Sequence, residues 1–151
     1  MHEALFFCMH IDLSQNFAHA KKCDLGVLLV YWSPMITYED FEKVDMRVGK
    51  IVAIEDFPEA HKPAFKLTID FGPEIGTKRS SVQAVGPHTK EELLGVLVCC
   101  VVNFPPKQVG PFSSEVLTLG FKNVDAEGQP ALGWVLVSPL KDSVEIGSRL
   151  R

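Results

Sequence analysis

The sequence predicts an all-β domain, a five-stranded Greek-key barrel, on three observations. One segment, residues 65–71, alternates strictly between apolar and polar side chains, as a half-buried strand must. Other strand-like segments on either side of it are separated by short turns rich in Gly, Pro, Asp and Asn. A single short helical signal interrupts the series between the third and fourth strands. The chain has 151 residues, 46% hydrophobic and 23% charged, enough for one domain with its own core.

Taken in order, residues 1–34 form an N-terminal extension of unknown role, with neither a 2-residue nor a 3.6-residue period. Its longest apolar run, Val27 to Trp32, is far below the ~20 residues that span a bilayer. Its first basic residues, Lys21 and Lys22, come too late for a signal peptide. The expectation is a cytoplasmic protein without membrane insertion, whose natural start is Met35. From Met35 the local signals agree. Thr37 suits an N-cap, Tyr38-Glu39-Asp40 gives an acidic first turn, and a short helix over 38–44 follows. Residues 45–55 read as a long strand with a bend or bulge at Gly49. The alternating strand 65–71 is followed by a glycine-bounded turn, Gly72 to Gly76, and a polar strand over 77–85. That polarity marks either an exposed edge or a face offered to a ligand.

Thr89-Lys90-Glu91-Glu92 is a capping box, with Gly95 suited to close the helix. Residues 96–102 are apolar on both faces, so the fourth strand needs cover on both, from a helix or another subunit. Residues 115–121 form the fifth strand, and Leu132 to Val137 belongs to a C-terminal β extension. A helix between the third and fourth of five strands is the order of an OB barrel.

The stretch 101–117 stands apart. Pro105, Pro106, Pro111 and Gly110 stiffen a loop that also carries Asn103, Lys107, Gln108, Ser113, Ser114 and Glu115. Prolines reduce the ordering cost of presenting polar groups to a partner, so this reads as a preformed recognition loop. It joins the fourth and fifth strands, and OB barrels meet ligands through such loops and the face of strands two and three. The candidate binding set is therefore Lys66, Lys78, Arg79, Ser80, Asn103, Phe104, Lys107, Gln108 and Ser114. Of Phe104 and Phe112, one is expected in the core and the other against a ligand.

Chemistry is expected to be absent. The sequence holds no nucleophile elbow, zinc-protease helix, Walker loop or dinucleotide fingerprint. The four cysteines match no zinc or disulfide frame, and neither a metal nor a cofactor is expected. Net charge is −4, and residues 35–151 hold 13 Lys/Arg against 16 Asp/Glu, which disfavours a broadly basic nucleic-acid binder.

Several long blocks carry a family resemblance: Tyr38-Glu39-Asp40-Phe41, Val44-Asp45-Met46-Arg47-Val48-Gly49-Lys50-Ile51, and Glu55-Asp56-Phe57-Pro58-Glu59-Ala60. Lys62-Pro63-Ala64-Phe65-Lys66-Leu67-Thr68-Ile69-Asp70-Phe71-Gly72, Ile75-Gly76-Thr77-Lys78-Arg79-Ser80-Ser81, Thr89-Lys90-Glu91-Glu92-Leu93 and residues 102–117 continue it. Residues 35–151 resemble the CsaA proteins, OB-fold members of the tRNA-binding-domain superfamily. The resemblance implies a homodimeric, export-related chaperone that binds unfolded preproteins and cooperates with the SecA translocation motor. Related domains bind tRNA, which gives the alternative: a non-catalytic tRNA-binding protein contacting phosphates through Lys66, Lys78, Arg79 and Lys107. Residues 1–34 and 138–143 depart from the family pattern.

Overall fold

The computed structural model describes residues 35–151, and the readings of residues 1–34 lie outside the described residues. Helix α1 (Tyr38–Glu42) starts where expected. The Thr37 hydroxyl accepts the Asp40 N–H at 3.2 Å, and the Asp40 carboxylate accepts the Thr37 N–H at 3.2 Å. The helix ends early because the Val44 N–H turns back to the Phe41 carbonyl at 3.0 Å. Strand β1 (Met46–Asp56) then pairs antiparallel with β2 (Phe65–Asp70) on one side and β4 (Leu97–Val101) on the other. Strand β3 (Thr77–Val82) lies beyond β2, with Ser81 opposite Lys66 and Arg79 opposite Thr68. Helix α2 (Lys90–Leu93) carries the expected Thr89–Glu92 capping box.

Strand β7 (Leu117–Thr118) completes the sheet in the order β3-β2-β1-β4-β7. Its free edge meets the free edge of β3. The Glu115 N–H donates to the Arg79 carbonyl at 2.8 Å and the Ser80 hydroxyl to the Val116 carbonyl at 3.2 Å. The Thr118 hydroxyl donates to Ser80 Oγ at 2.8 Å. The sheet thereby curls into a nearly closed barrel, which removes most of its exposed edge. With α2 between β3 and β4, this is the expected OB fold. Ile51, Leu67, Ile69, Phe71, Val98 and Cys100 fill the centre, each at most 1% exposed. Burial pushes the Cys100 thiol up to about 12, so it is packing material rather than a nucleophile at neutral pH.

Four sequence readings change. Gly49 is not the bulge: the register of β1 on β2 shifts between Ile51 and Ala53 instead. Gly49 is there because the Phe71 ring crosses it. A Cβ would lie 2.7 Å from Phe71 Cε1 and closer still to the Ile69 side chain. The recognition loop is not irregular throughout, because β5 (Lys107–Val109) and β6 (Phe112–Ser114) form a hairpin within it. Gly110, at φ 54°, takes the left-handed first position of the two-residue turn, and Pro111 holds the second at negative φ. The fifth strand divides at Leu119. Its N–H stays with β4 through the Cys99 carbonyl, while its carbonyl accepts the Val137 N–H, each at 3.0 Å. Beyond it β8 (Gly120–Val124) leaves the barrel to pair with β9 (Pro130–Leu136) as a two-stranded ribbon. Finally, the outward Leu97 and Val101 of β4 are only 7% and 3% exposed within the single chain, and the chain's own C-terminal segment bonds to the strand's edge. The Cys99 N–H donates to the Val137 carbonyl at 2.9 Å and the Ser138 hydroxyl to the Leu97 carbonyl at 2.7 Å.

The close approach at Gly49 yields a test of the core. Gly49→Ala is expected to destabilise by about 1–3 kcal/mol through overpacking against Phe71 and Ile69. Thermal denaturation measures it, and an unchanged midpoint would show that the core has room there.

Candidate functional site

Strand alternation sorts the candidate residues by face. Lys66 and Thr68 on β2, with Arg79 and Ser81 on β3, project outward from the barrel, while Leu67, Ser80 and Val82 project inward. Over this outward face lies the β5–β6 hairpin. It is held by the Ser81 N–H donating to Ser114 Oγ at 3.1 Å, and its Gly110 turn sits beside the backbone of Glu59 in the β1–β2 loop. The stiff loop and the second-and-third-strand face thus meet, as the sequence led one to expect.

What they enclose is a pair of aromatic rings with a cation at each end. Lys66 Nζ stands 4.7 Å from the centroid of Phe57, the Phe57 and Phe112 rings lie 5.5 Å apart at 60°, and Arg79 Cζ stands 5.4 Å from the centroid of Phe112. Tilted rings and cations over ring faces are both favourable arrangements of the aromatic quadrupole. Phe57 is buried and Phe112 partly so, which makes them a rigid platform for the two cations. Each cation is also paired with a carboxylate. Lys66 Nζ donates to Glu59 Oε2 at 3.2 Å, and Arg79 Nε lies 3.5 Å from Glu115 Oε2. Glu115 Oε2 accepts the Arg79 backbone N–H as well, at 2.9 Å, so this carboxylate belongs to the closure seam. Its own backbone N–H, and then Lys66, hold the Glu59 carboxyl below the ordinary range.

The other candidates divide. Lys107 and Gln108 are exposed on β5, with the Gln108 side-chain amide donating to the Gly110 carbonyl at 2.8 Å. Phe104 is 48% exposed just before the hairpin, so of the two loop aromatics Phe112 is the packed one and Phe104 the open one. Asn103 is an anchor: its Oδ1 accepts the Asp45 N–H at 3.0 Å and its Nδ2 donates to the Lys43 carbonyl at 2.7 Å. It ties the start of the loop to the segment between α1 and β1, not to the loop itself. Ser80 and Ser114 need correction, because both are buried and their hydroxyls donate to the Val116 carbonyl at the seam. Neither is offered to a ligand. Lys78 shares the inward parity of Ser80, so it does not converge with Lys66 and Arg79.

Phe57, Glu59 and Glu115 were missing from the sequence-derived set. A hairpin between β1 and β2 does bring Glu59 back toward Lys66, but no local pattern marks the pairing. A second concavity, of about 350 Å³, lies on the opposite side of β1 and β4, lined mainly by Met46, Val48, Cys99, Val137, Val144 and Leu150. Among the described residues no cluster of His, Cys, Asp and Glu has metal-binding geometry, and no helix is long and apolar enough to cross a membrane.

Comparison with known proteins places this barrel. The family model described as a putative tRNA binding domain matches residues 46–145. The CsaA chaperone protein of Picrophilus torridus is 46% identical, with 78% of this chain and all of that one covered at a TM-score of 0.66. The chaperone CsaA of Bacillus anthracis is 41% identical, covering 78% of this chain and 99% of that one, also at a TM-score of 0.66. The methionine–tRNA ligase of Thermotoga maritima is 36% identical over 91 residues, which is 60% of this chain but only 14% of that enzyme. The chain spans a small part of that synthetase and essentially the whole of the chaperones. It belongs to the CsaA branch of the tRNA-binding-domain family.

Proposed function

We propose that this protein is a non-catalytic chaperone that binds unfolded polypeptide, in support of export, on the face framed by β2, β3 and the β5–β6 hairpin. The observation that carries this reading is the charge state of the face: Lys66 and Arg79 both lean on aromatic rings, and both already have carboxylate partners. A platform of that kind is amphipathic and close to neutral. It suits an extended chain, which brings apolar side chains and main-chain amides, better than a run of phosphates. Phe104, open at the loop's start, and the outer edge of β5 extend the surface available to such a chain. Unfolded preproteins are the proposed clients, with the SecA motor as the proposed receiving partner in the cytoplasm, by likeness to the CsaA chaperones.

The tRNA reading has its own support. The family is a tRNA-binding one, and among the described residues Lys78 and Lys107 have no carboxylate within salt-bridge distance. Against it stands the net charge of −4.

We also propose a homodimer. Phe121 is 71% exposed and stands opposite Val135, which is 40% exposed, on the β8–β9 ribbon that leaves the barrel. Leu132 and Leu117 are also exposed nearby in the chain, so the ribbon carries apolar surface that a second copy would cover. Sedimentation at micromolar concentration is expected to give twice the 16.7 kDa chain mass, and a monomer would refute the dimer.

The binding face is tested by Lys107→Ala combined with Arg79→Ala. Both side chains are largely exposed, so the pair is expected to cost under about 1 kcal/mol of stability. Affinity for a reduced, unfolded polypeptide is expected to fall by about tenfold. Equal losses of melting temperature and binding would make these residues structural and remove the face from the account.

A further inference from the structure

Two carboxylates on this face contribute less to the fold than their positions suggest. Glu59 lies in the β1–β2 loop, half-exposed, and its only side-chain partner among the described residues is Lys66. An exposed ion pair of this kind adds little stability. Glu115 does close the seam, through the Arg79 N–H, but a neutral amide oxygen in its place would keep that hydrogen bond in weaker form. What the negative charge adds in both places is neutralisation of a cation. Glu59 Oε2 and Glu115 Oε2 lie 3.2 Å and 3.5 Å from the Lys66 and Arg79 nitrogens, where phosphate oxygens of a nucleic-acid strand would lie.

We propose that Glu59 and Glu115 are specificity-determining residues that exclude RNA from the β2–β3 face by occupying the phosphate positions against Lys66 and Arg79. The inference rests on the reading of this face as a polypeptide site. An approaching polyanion must displace both carboxylates and lie against their charges, so it loses two cation contacts and gains two repulsions. An extended polypeptide carries no such array of charge and meets the rings and the cation stems without breaking either pair. The aromatic rings make the exclusion durable. Phe57 and Phe112 draw Lys66 and Arg79 onto their faces, so a cation that swings outward to a phosphate gives up its ring contact as well as its carboxylate. The same surface therefore discriminates by negative features, not by extra contacts to its ligand.

The test is the double substitution Glu59→Gln with Glu115→Gln, which keeps the shape and the hydrogen-bond acceptor beside Arg79. Binding of bulk tRNA and of an unfolded, reduced polypeptide is measured for wild type and variant across a salt series. Expected is a gain of about tenfold in tRNA affinity near 0.1 M salt, with the slope of log affinity against log salt steeper by about 1.5. The ratio of tRNA affinity to polypeptide affinity is the discriminating readout, and it is expected to rise by about tenfold. Unchanged tRNA affinity and slope overturn the proposal while leaving the polypeptide site standing if wild type still binds polypeptide. A tRNA gain in a protein that binds no polypeptide would uphold the exclusion and refute the chaperone reading. Should the double variant fold poorly, Glu59→Gln alone, in an exposed loop, is expected to give about half the change in slope, and no change would overturn the proposal equally.

Discussion

The meeting of Arg79 and Glu115 is the constraint from which the rest of this structure follows. Their backbones exchange one hydrogen bond, from the Glu115 N–H to the Arg79 carbonyl, and the Glu115 carboxylate returns another from the Arg79 N–H. Beneath them Ser80, Ser114 and Thr118 knit the same edges through hydroxyls buried at the seam. Without that seam β3 is an open, polar edge, and the sheet has no reason to curl around Phe71 and Ile69. The seam also fixes where the β5–β6 hairpin leaves the barrel, and hence where Phe112 lies relative to Arg79. Barrel closure and the shape of the proposed ligand face are one arrangement.

That coupling explains why the face is charge-balanced. The Arg79 cation at the surface of β3 sits beside a carboxylate that accepts a hydrogen bond at the closure seam, and the Lys66–Glu59 pair repeats the arrangement at the other end of the aromatic row. Each exposed pair is weak alone. Set against two packed rings, the pairs become ordered, and an ordered neutral face has different partners from a basic one. Under the proposed function, a family with methionine–tRNA ligase relatives presents a surface of the same fold to another kind of chain, with chemistry set by the side chains rather than by the fold.

Much of this was legible in the residues. The alternation of Phe65, Leu67, Ile69 and Phe71 announced β2, the Thr37 N-cap and the Thr89–Glu92 capping box announced their helices, and the helix after the third strand announced the barrel order. Less legible were features set by distant partners. Gly49 reads as a bend in isolation, and only the Phe71 ring across it shows why a side chain is excluded. Three-residue strands such as β5 leave no periodic trace, and two preceding prolines make the segment read as a loop. The burial of Ser80 was in fact available: it shares parity with Val82, as Ser114 does with Val116, and an apolar neighbour two residues on marks the inward face. Glu59 and Glu115 had no such signal, since the pairing that gives each its role depends on the folded loop.

The proposed function requires that a neutral aromatic face, not a basic one, meets the ligand. It is tested most directly by titrating wild-type protein with an unfolded preprotein and with bulk tRNA, side by side, at about 50 mM and about 200 mM salt. The preprotein is expected to bind more tightly, with an affinity that changes little between the two. Tighter binding of tRNA, falling steeply as salt rises, would contradict it.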